Sequence, residues 1–454
     1  MRPADYFMSI DHIFARNLAA AFMAGPWTMS GLLARGKLAC GRRERWLQPL
    51  IRRVLTIFEE KPLDGDTGRL TWLIESTAGF GRAHDPEDSP PHRIYWFTRA
   101  MSPSPWPVPA VPTVTALAEW LSLDPAKLAW FTVCHGSESK VEPGPLRHYS
   151  YRWLRKKAQQ WRLLESPKRR LKAIQRKILH DILDRIPPHN SAHGYLRDHS
   201  IATFAAPHCG RRIVLRFDLR HFFPSVRRSR VHAVFTTAGY PGEVARLLTG
   251  LCVNRVPDDV WQSYPGNDYA PLTFDELHRF QSFHLPQGAP TSPALANLCA
   301  YRLDCRLHSL AESVGAQYTR YADDLAFSGD RELERMAKRF QVLIYRIVLD
   351  EGFELHLRKS RFMRQGVRQQ LVGIVVNAHL NFRRAEFDRL KAILHNCVLH
   401  GPATQNRADH ADFRSHLLGR IAHVTMLNEA RGRKLRDAFN RINWPDSTTP
   451  NAHL

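Results

Sequence analysis

The chain contains no Cys-x-x-Cys pair, and its seven cysteines in 454 residues are an odd number. That spacing excludes a disulfide framework and a cysteine zinc cluster, and it fits a reducing compartment. No apolar run approaches the roughly 18 residues needed to cross a membrane. Around the short apolar stretch 18–23, the start carries Asp5, Asp11 and Arg16 and lacks the layout of a secretory signal. A cytoplasmic protein with no membrane partner is expected. Acid is scarce relative to base: Asp plus Glu number 43 against 65 Lys plus Arg, a surplus of 22 positive charges before the 23 histidines are counted. Such a balance points to a polyanionic partner. With 44% hydrophobic and 24% charged residues the composition is that of a folded chain, long enough for two to four structural pieces.

Residues 1 to about 80 read as helical and basic. Trp46, Leu47, Leu50, Ile51, Val54, Leu55 and Phe58 recur at helical spacing, with Arg42, Arg43, Arg45, Arg52 and Arg53 clustered around them. The stretch 86–112 holds eight prolines, too many for regular structure, and marks a boundary. Beyond it, 115–130 reads as two short helices, the second opened by Asp124 and Pro125, which suit a docking pair on the main body better than a DNA-reading motif. From 149 to 177 the composition turns strongly basic around a single acid, Glu165, with Tyr149, Tyr151, Trp153 and Trp161 interleaved. Aromatic rings among cations suit a surface that holds phosphates and stacks bases.

The chemistry-bearing residues lie further on. Residues 213–219 form a short apolar strand rich in β-branched residues, with Asp218 at its end before Phe222 and Phe223. A second apolar segment, 318–327, carries Asp323 and Asp324. Adjacent residues on a straight strand face opposite ways, so two neighbouring carboxylates approach one site only where the strand bends, as at a hairpin turn. Three carboxylates gathered there would need divalent cations to neutralise them, with Mg²⁺ the natural choice. Two such ions, roughly 3.5 to 4 Å apart, support in-line phosphoryl displacement, which is the chemistry of nucleotidyl transfer. Between the two acidic segments lies Leu285-Pro286-Gln287-Gly288-Ala289-Pro290-Thr291-Ser292-Pro293, a polar turn-forming loop expected to lead into one helix from Ala294 to about Leu310.

In this order the three segments resemble the palm of reverse transcriptases: first strand, Leu-Pro-Gln-Gly loop and Tyr-x-Asp-Asp hairpin. The resemblance implies an α+β right-hand polymerase of fingers, palm and helical thumb, with an additional helical N-terminal region. It makes Asp218, Asp323 and Asp324 the catalytic metal-binding acids, Asp218 and Asp323 the firmer ligands. Gln287 would lie against the incoming nucleotide, and Phe223 would crowd its 2′-hydroxyl and favour deoxynucleotides. Lys359 would sit near the leaving pyrophosphate, while Lys157 and Arg162 would hold the triphosphate. The implied boundaries are a basic N-terminal region with its Pro-rich linker at 1–110, a helical pair at 111–148, fingers and palm at 149–380 and a thumb at 381–454. Thumb helices are expected at 386–400, 413–426 and 429–443. No ribonuclease H-like domain fits between Trp444 and Leu454, so template removal is expected to fall to another enzyme.

A narrower resemblance is to bacterial retron reverse transcriptases. It is carried by Leu164-Glu165-Ser166-Pro167, Leu171-Lys172-Ala173-Ile174-Gln175-Arg176, Ser191-Ala192-His193-Gly194-Tyr195, Ser200-Ile201 and 371–377. It implies an RNA-directed DNA polymerase that copies a bound noncoding RNA into DNA from deoxynucleoside triphosphates, in antiviral defence and with an effector protein as a further partner. Where that family usually has Asn-Ala-x-x-His and Val-Thr-Gly, this chain has Phe204-Ala205-Ala206-Pro207-His208 and Leu371-Val372-Gly373. Those two departures leave open a group II intron-like or other defence-associated reverse transcriptase without a retron RNA. An RNA-binding scaffold that restrains a toxic effector is the further alternative, against which the intact acids speak. Residues 253–284 resemble an insertion with no assigned chemistry. Cys299, Cys305, His208 and Cys209 lack ligand spacing and read as core or surface residues.

Overall fold

The computed structural model describes residues 10–40, 46–62, 67–77, 101–133, 144, 146–155, 161–266 and 272–444. The chain divides into two compact units, one of residues 1–103, 110–125 and 239–245, the other of 104–109, 126–238 and 246–454. The division falls between the two short helices after the proline-rich stretch, Val114–Trp120 and Pro125–Val133. Residues 86–100 of that stretch lie outside the described residues.

The first unit is helical, with helices Ile10–Met23, Met29–Cys40, Leu47–Ile57 and Thr67–Glu75. Its core is built from Leu18, Phe22, Leu32, Leu47, Leu50, Ile51, Val54, Leu70 and Ile74, all fully buried. On the Leu47–Ile57 helix the buried side chains recur three and four residues apart, while Arg52 and Arg53 point to solvent. The Arg35 guanidinium donates to the carbonyls of Ala21 (2.8 Å) and Phe22 (3.0 Å) in the last turn of the first helix, where Ala21 O also accepts from Ala24 N at 3.3 Å.

Among its described residues the second unit contains eight strands. Strands β1 (Tyr149–Arg155) and β2 (Trp161–Pro167) form an antiparallel hairpin. Strands β3 (Ile213–Asp218), β4 (Gln317–Tyr321), β5 (Asp324–Gly329) and β6 (Arg361–Arg364) form an antiparallel sheet in the order β4-β5-β3-β6. β7 (Gln370–Leu371) and β8 (Ile374–Val375) make a short ribbon. Ile213, Val214, Leu215 and Phe217 are all buried, as expected of a strand covered on both faces. Helix Tyr301–Glu312 packs on β4, and Arg331–Asp350 packs on β5. After the sheet, helices Arg384–His400, Phe413–Leu427 and Glu429–Asn440 close around Leu390, Leu394, Leu417, Ile421, Val424 and Leu435.

The single helix expected from Ala294 to about Leu310 is two, Ser292–Cys299 and Tyr301–Glu312, parted at Ala300. Neither glycine nor proline marks that break, so tertiary contacts set it. Both segments aim a buried polar side chain at Arg320 of β4. Asp304 accepts from its Nε (2.8 Å) and Nη2 (2.6 Å), and Asn297 Oδ1 accepts from Nη1 (3.0 Å). Arg320 and Asp304 are fully buried. The Tyr318 hydroxyl also donates to Asp304, at 2.8 Å. Arg320 Nη1 reaches the carbonyl of Ala322 at 3.2 Å, and its guanidinium lies over the Phe222 ring.

The insertion-like stretch folds as helices Asp258–Gln262 and Phe274–Gln281 and packs on the β1-β2 hairpin through Leu163, Val256, Val260, Trp261 and Phe280. Asp259 takes a two-pronged bond from Arg147, at 2.8 and 2.9 Å.

Ahead of β3, the chain at Ser191 to Gly194 runs along β4, with Arg320 N donating to Ser191 O (2.7 Å) and His193 N to Arg320 O (2.8 Å). Asn297 Nδ2 donates to Gly194 O at 2.8 Å. A Cβ at Gly194 would lie 2.7 Å from the backbone nitrogen of Ala322, whereas one at Gly366 would meet nothing within 4 Å. Gly194→Ala should therefore cost about 1 to 3 kcal/mol of stability, and Gly366→Ala well under that. Thermal denaturation of the two variants checks this, and equal Tm values would contradict the close approach.

Candidate active site

The acids meet at the end of β3. Asp218, its last residue, is the cross-strand partner of Asp324, the first residue of β5. One residue on, Leu219 N donates to the backbone oxygen of Asp323 at 2.8 Å. Tyr321 pairs with Asp324, so the hairpin loop is Ala322-Asp323, one residue earlier than the Asp-Asp turn the sequence suggests. Ala322 has φ of 55°, a left-handed conformation that favours glycine. Arg320, on the Ala322 carbonyl, and Gly194, against the Ala322 nitrogen, hold that residue from two sides.

Charge is unevenly balanced here. Burial, then the neighbouring Asp218, raises the Asp323 carboxyl above its ordinary range. Asp324 is pushed up to about 6, chiefly by burial, although Arg216 opposes the shift. Arg216 holds Asp324 Oδ1 through Nε (2.7 Å) and Nη2 (2.6 Å). Lys359 Nζ donates to Asp218 Oδ1 at 2.8 Å. Arg162 lies close enough to lower the Asp323 carboxyl. Asp218 and Asp323 are thus a like-charged pair, while the third acid is turned to its own arginine. Among the described residues no group of three or more His, Cys, Asp or Glu side chains is arranged to hold a metal ion. Paired carboxylates with hard oxygen donors and incompletely offset charge suit a divalent cation, with Asp218 and Asp323 in place and Asp324 available by exchange from Arg216.

Of the other expected residues, Phe223 reaches the pair through Tyr195, which lies near Asp323. Phe223 is half-buried, its ring 5.6 Å from Phe222 and 6.2 Å from Tyr195. Tyr195 is 52% exposed, has φ of 64°, and lies 6.4 Å from Tyr321, so three aromatic rings flank the acids. Lys157 lies outside the described residues. Gln287 is half-buried, and its backbone oxygen accepts from Glu165 N of β2 at 2.9 Å. Next to it Gly288 has φ of 132°, and a Cβ there would sit 3.0 Å from Glu165 O.

Several residues at the site carry no role that the sequence alone suggests. Glu165 is fully buried, accepting from Asn254 Nδ2 (2.7 Å) and paired with His284 Nε2 (3.1 Å). Its signal is visible in the sequence, as the one acid in a basic run. His284 is raised above the usual histidine range because Glu165 outweighs the burial that opposes it. Glu276 binds Arg220 (2.8 Å) and His221 (2.9 Å), just after Asp218, and its carboxyl is held well below the usual range, mainly by His221. Arg216 sits two residues before Asp218, on the same strand face. Nothing in the linear pattern separates these last residues from ordinary surface charge.

Residues 154–382, half of the chain, match the family of reverse transcriptases (RNA-dependent DNA polymerases). The chain is 39% identical over 317 residues to the retron Mx65 reverse transcriptase of Myxococcus xanthus, covering 65% of this chain and 68% of that protein. It is 34% identical over 352 residues to the retron Mx162 reverse transcriptase of the same organism, covering 74% and 68%. To the retron Ec86 reverse transcriptase of Escherichia coli it is 31% identical over 236 residues, covering 52% and 65%. Enzymes of this family work on nucleic acid with divalent metal ions. The α+β sheet-and-helix architecture, the ordered motifs and these similarities agree, and the chain belongs to the retron reverse transcriptases, RNA-directed DNA polymerases.

Proposed function

We propose that Asp218, Asp323 and Asp324 carry the polymerisation chemistry, with magnesium as the metal and deoxynucleoside triphosphates as substrates. The observation that supports this most is the register of Asp218 with Asp324, together with the Leu219 to Asp323 backbone bond, which bring acids about 100 residues apart to one strand end. In the reaction a primer hydroxyl oxygen forms a bond to the α-phosphorus, the bond to pyrophosphate breaks, and the hydroxyl proton leaves. Magnesium, when bound, supplies charge neutralisation and makes that hydroxyl easier to deprotonate. Asp218 and Asp323 would hold it, with Asp324 released from Arg216. Lys359, now on Asp218, is a long-stemmed cation that can follow the departing pyrophosphate once Asp218 has another counter-ion. Arg162 and Lys157 would take triphosphate oxygens. Gln287, on a loop fixed by Glu165, would position the nucleotide.

The template in this reading is a structured noncoding RNA that stays with the enzyme, and the DNA product serves antiviral defence in the cytoplasm, alongside an effector protein. The helices at 384–440 act as the thumb. Support comes from the retron relatives and from the net charge of +22. Sequencing of nucleic acid that co-purifies with the protein tests it: DNA joined to one defined RNA is expected, and unrelated cellular RNA alone contradicts it.

At the site itself, Asp323→Asn should lower deoxynucleotide incorporation by at least roughly 10²-fold with the fold retained, and undiminished incorporation would remove the acids from the mechanism. Phe223→Ala should raise kcat/KM for ribonucleotides relative to deoxynucleotides by about 10- to 200-fold, the range that one steric obstruction supplies. Asp324, with a native pKa of about 6 against an ordinary 3.8, keeps its proton in the fold through a window where the unfolded chain has lost it. Stability of the metal-free protein is therefore lost as pH rises from about 4 to about 6, by up to about 3 kcal/mol from this group. The Tm of the wild type should fall across that window relative to Asp324→Asn, and a constant difference would contradict the raised carboxyl.

A further inference from the structure

At the end of the sheet opposite the acids, an open cavity of about 500 Å³ is lined by Arg212, Arg331, Glu334, Arg335 and Arg364. Its place follows from the register: Ile213, the first residue of β3, pairs with Gly329 and Arg364, while Asp218 is the last. Six residues of extended chain therefore put Arg212 roughly 20 Å from Asp218.

The cavity is built rather than incidental. Glu334 is gripped by Arg212 Nε and by Arg364 Nε, the latter at 3.0 Å, which fixes two of the guanidiniums against the sheet end. One carboxylate faces four guanidiniums, and among the described residues no ion pair joins Arg331 or Arg335 to an acid. Both are exposed. Arg331 is the first residue of its helix, where the positive end of the macrodipole disfavours a cation, and Arg335 stands one turn on along the same face, where like charges repel. Glu332 and Glu334 in the same first turn offset only part of that cost. An anion seated among the four arginines would remove it.

We propose that this arginine cavity is a second nucleic-acid site, which takes the phosphodiester backbone of structured RNA away from the polymerising acids. Guanidinium forks match phosphate oxygens two at a time. The lining has no aromatic ring and no amide side chain, so phosphates alone would be held, without base stacking or base-edge reading. It also has no apolar side chain of the kind that forms the core of a protein interface, which disfavours an acidic protein as occupant. The site does not depend on the roles given to the acids.

The test uses the full chain and a labelled RNA hairpin of about 20 base pairs, with binding followed by fluorescence anisotropy from about 50 to about 300 mM salt. The double variant Arg331→Ala, Arg335→Ala should bind more weakly, by roughly 10-fold near about 150 mM salt. Its slope of log affinity against log salt should be shallower by about 2, one for each phosphate that an arginine no longer neutralises. Lys338→Ala, Arg339→Ala, on the same helix but outside the cavity, should leave that slope in place. Incorporation on a short primed template should be the same in all three proteins, so a failed polymerisation reading and a failed RNA site give different results. An unchanged slope in the cavity variant, or an equal loss in the Lys338 and Arg339 variant, would overturn the proposal.

Discussion

A pair of like-charged carboxylates on the end of a sheet repel each other, and the fold must hold them together before any cation arrives. The restraint is the buried ion pair of Arg320 and Asp304. Both are fully inaccessible to solvent, and such a pair stabilises a fold only when its remaining donors and acceptors are satisfied. They are: Tyr318, Asn297 and the Ala322 carbonyl complete the set. Through that carbonyl a guanidinium deep in the protein fixes the left-handed residue of the hairpin, and so the direction in which Asp323 leaves the sheet. Gly194 closes on the same residue from the other side because it has no side chain to obstruct it.

The Gln287 loop is held by a different device of the same kind. Glu165 sits with His284 and Asn254 where a lone charge would be costly, and its backbone grips the loop at Gln287. A buried acid in β2 thus links the basic hairpin to the Gln287 loop. Both devices rely on a charge that water cannot reach, so both are rigid and both hold backbone rather than substrate.

The acids, the loop and Phe223 stand out in the sequence because their order resembles the palm of reverse transcriptases, and strand and turn geometry alone explains only how two adjacent acids can share one site. Helices in the N-terminal unit are legible from the three-and-four recurrence of Leu47, Leu50, Ile51 and Val54. The hidden parts depend on partners far apart in sequence. Arg320 reads as one more arginine in a basic chain until Asp304 is beside it, and the break at Ala300 has no glycine or proline to announce it. Arg216 is a cation like many others, and only the fold puts it on Asp324, whereas Lys359, expected from the resemblance near the pyrophosphate, bonds Asp218. The insertion-like stretch carries no chemical signal of its own, yet its Glu276 fastens Arg220 and His221 immediately after Asp218.

The departure at Phe204 shows why a family hallmark can be missing while the site is kept. His208, still present, is buried and lowered to about 3, mainly by desolvation, so its imidazole is neutral. Thr319 Oγ1 gives its single proton to the Phe204 carbonyl at 2.9 Å, so at 2.8 Å His208 Nε2 must be the donor to Thr319. His208 Nδ1 is then free to accept from the Ser328 hydroxyl at 2.7 Å. The chain of bonds that ties this segment to β4 and β5 therefore runs through the backbone of residue 204 and the ring of residue 208. The side chain at 204 is left to packing, and the phenyl ring uses that freedom by filling the space behind Tyr321, 5.8 Å between centroids. An apolar residue there braces the hairpin from behind, which is a structural use of the position that needs no polar side chain.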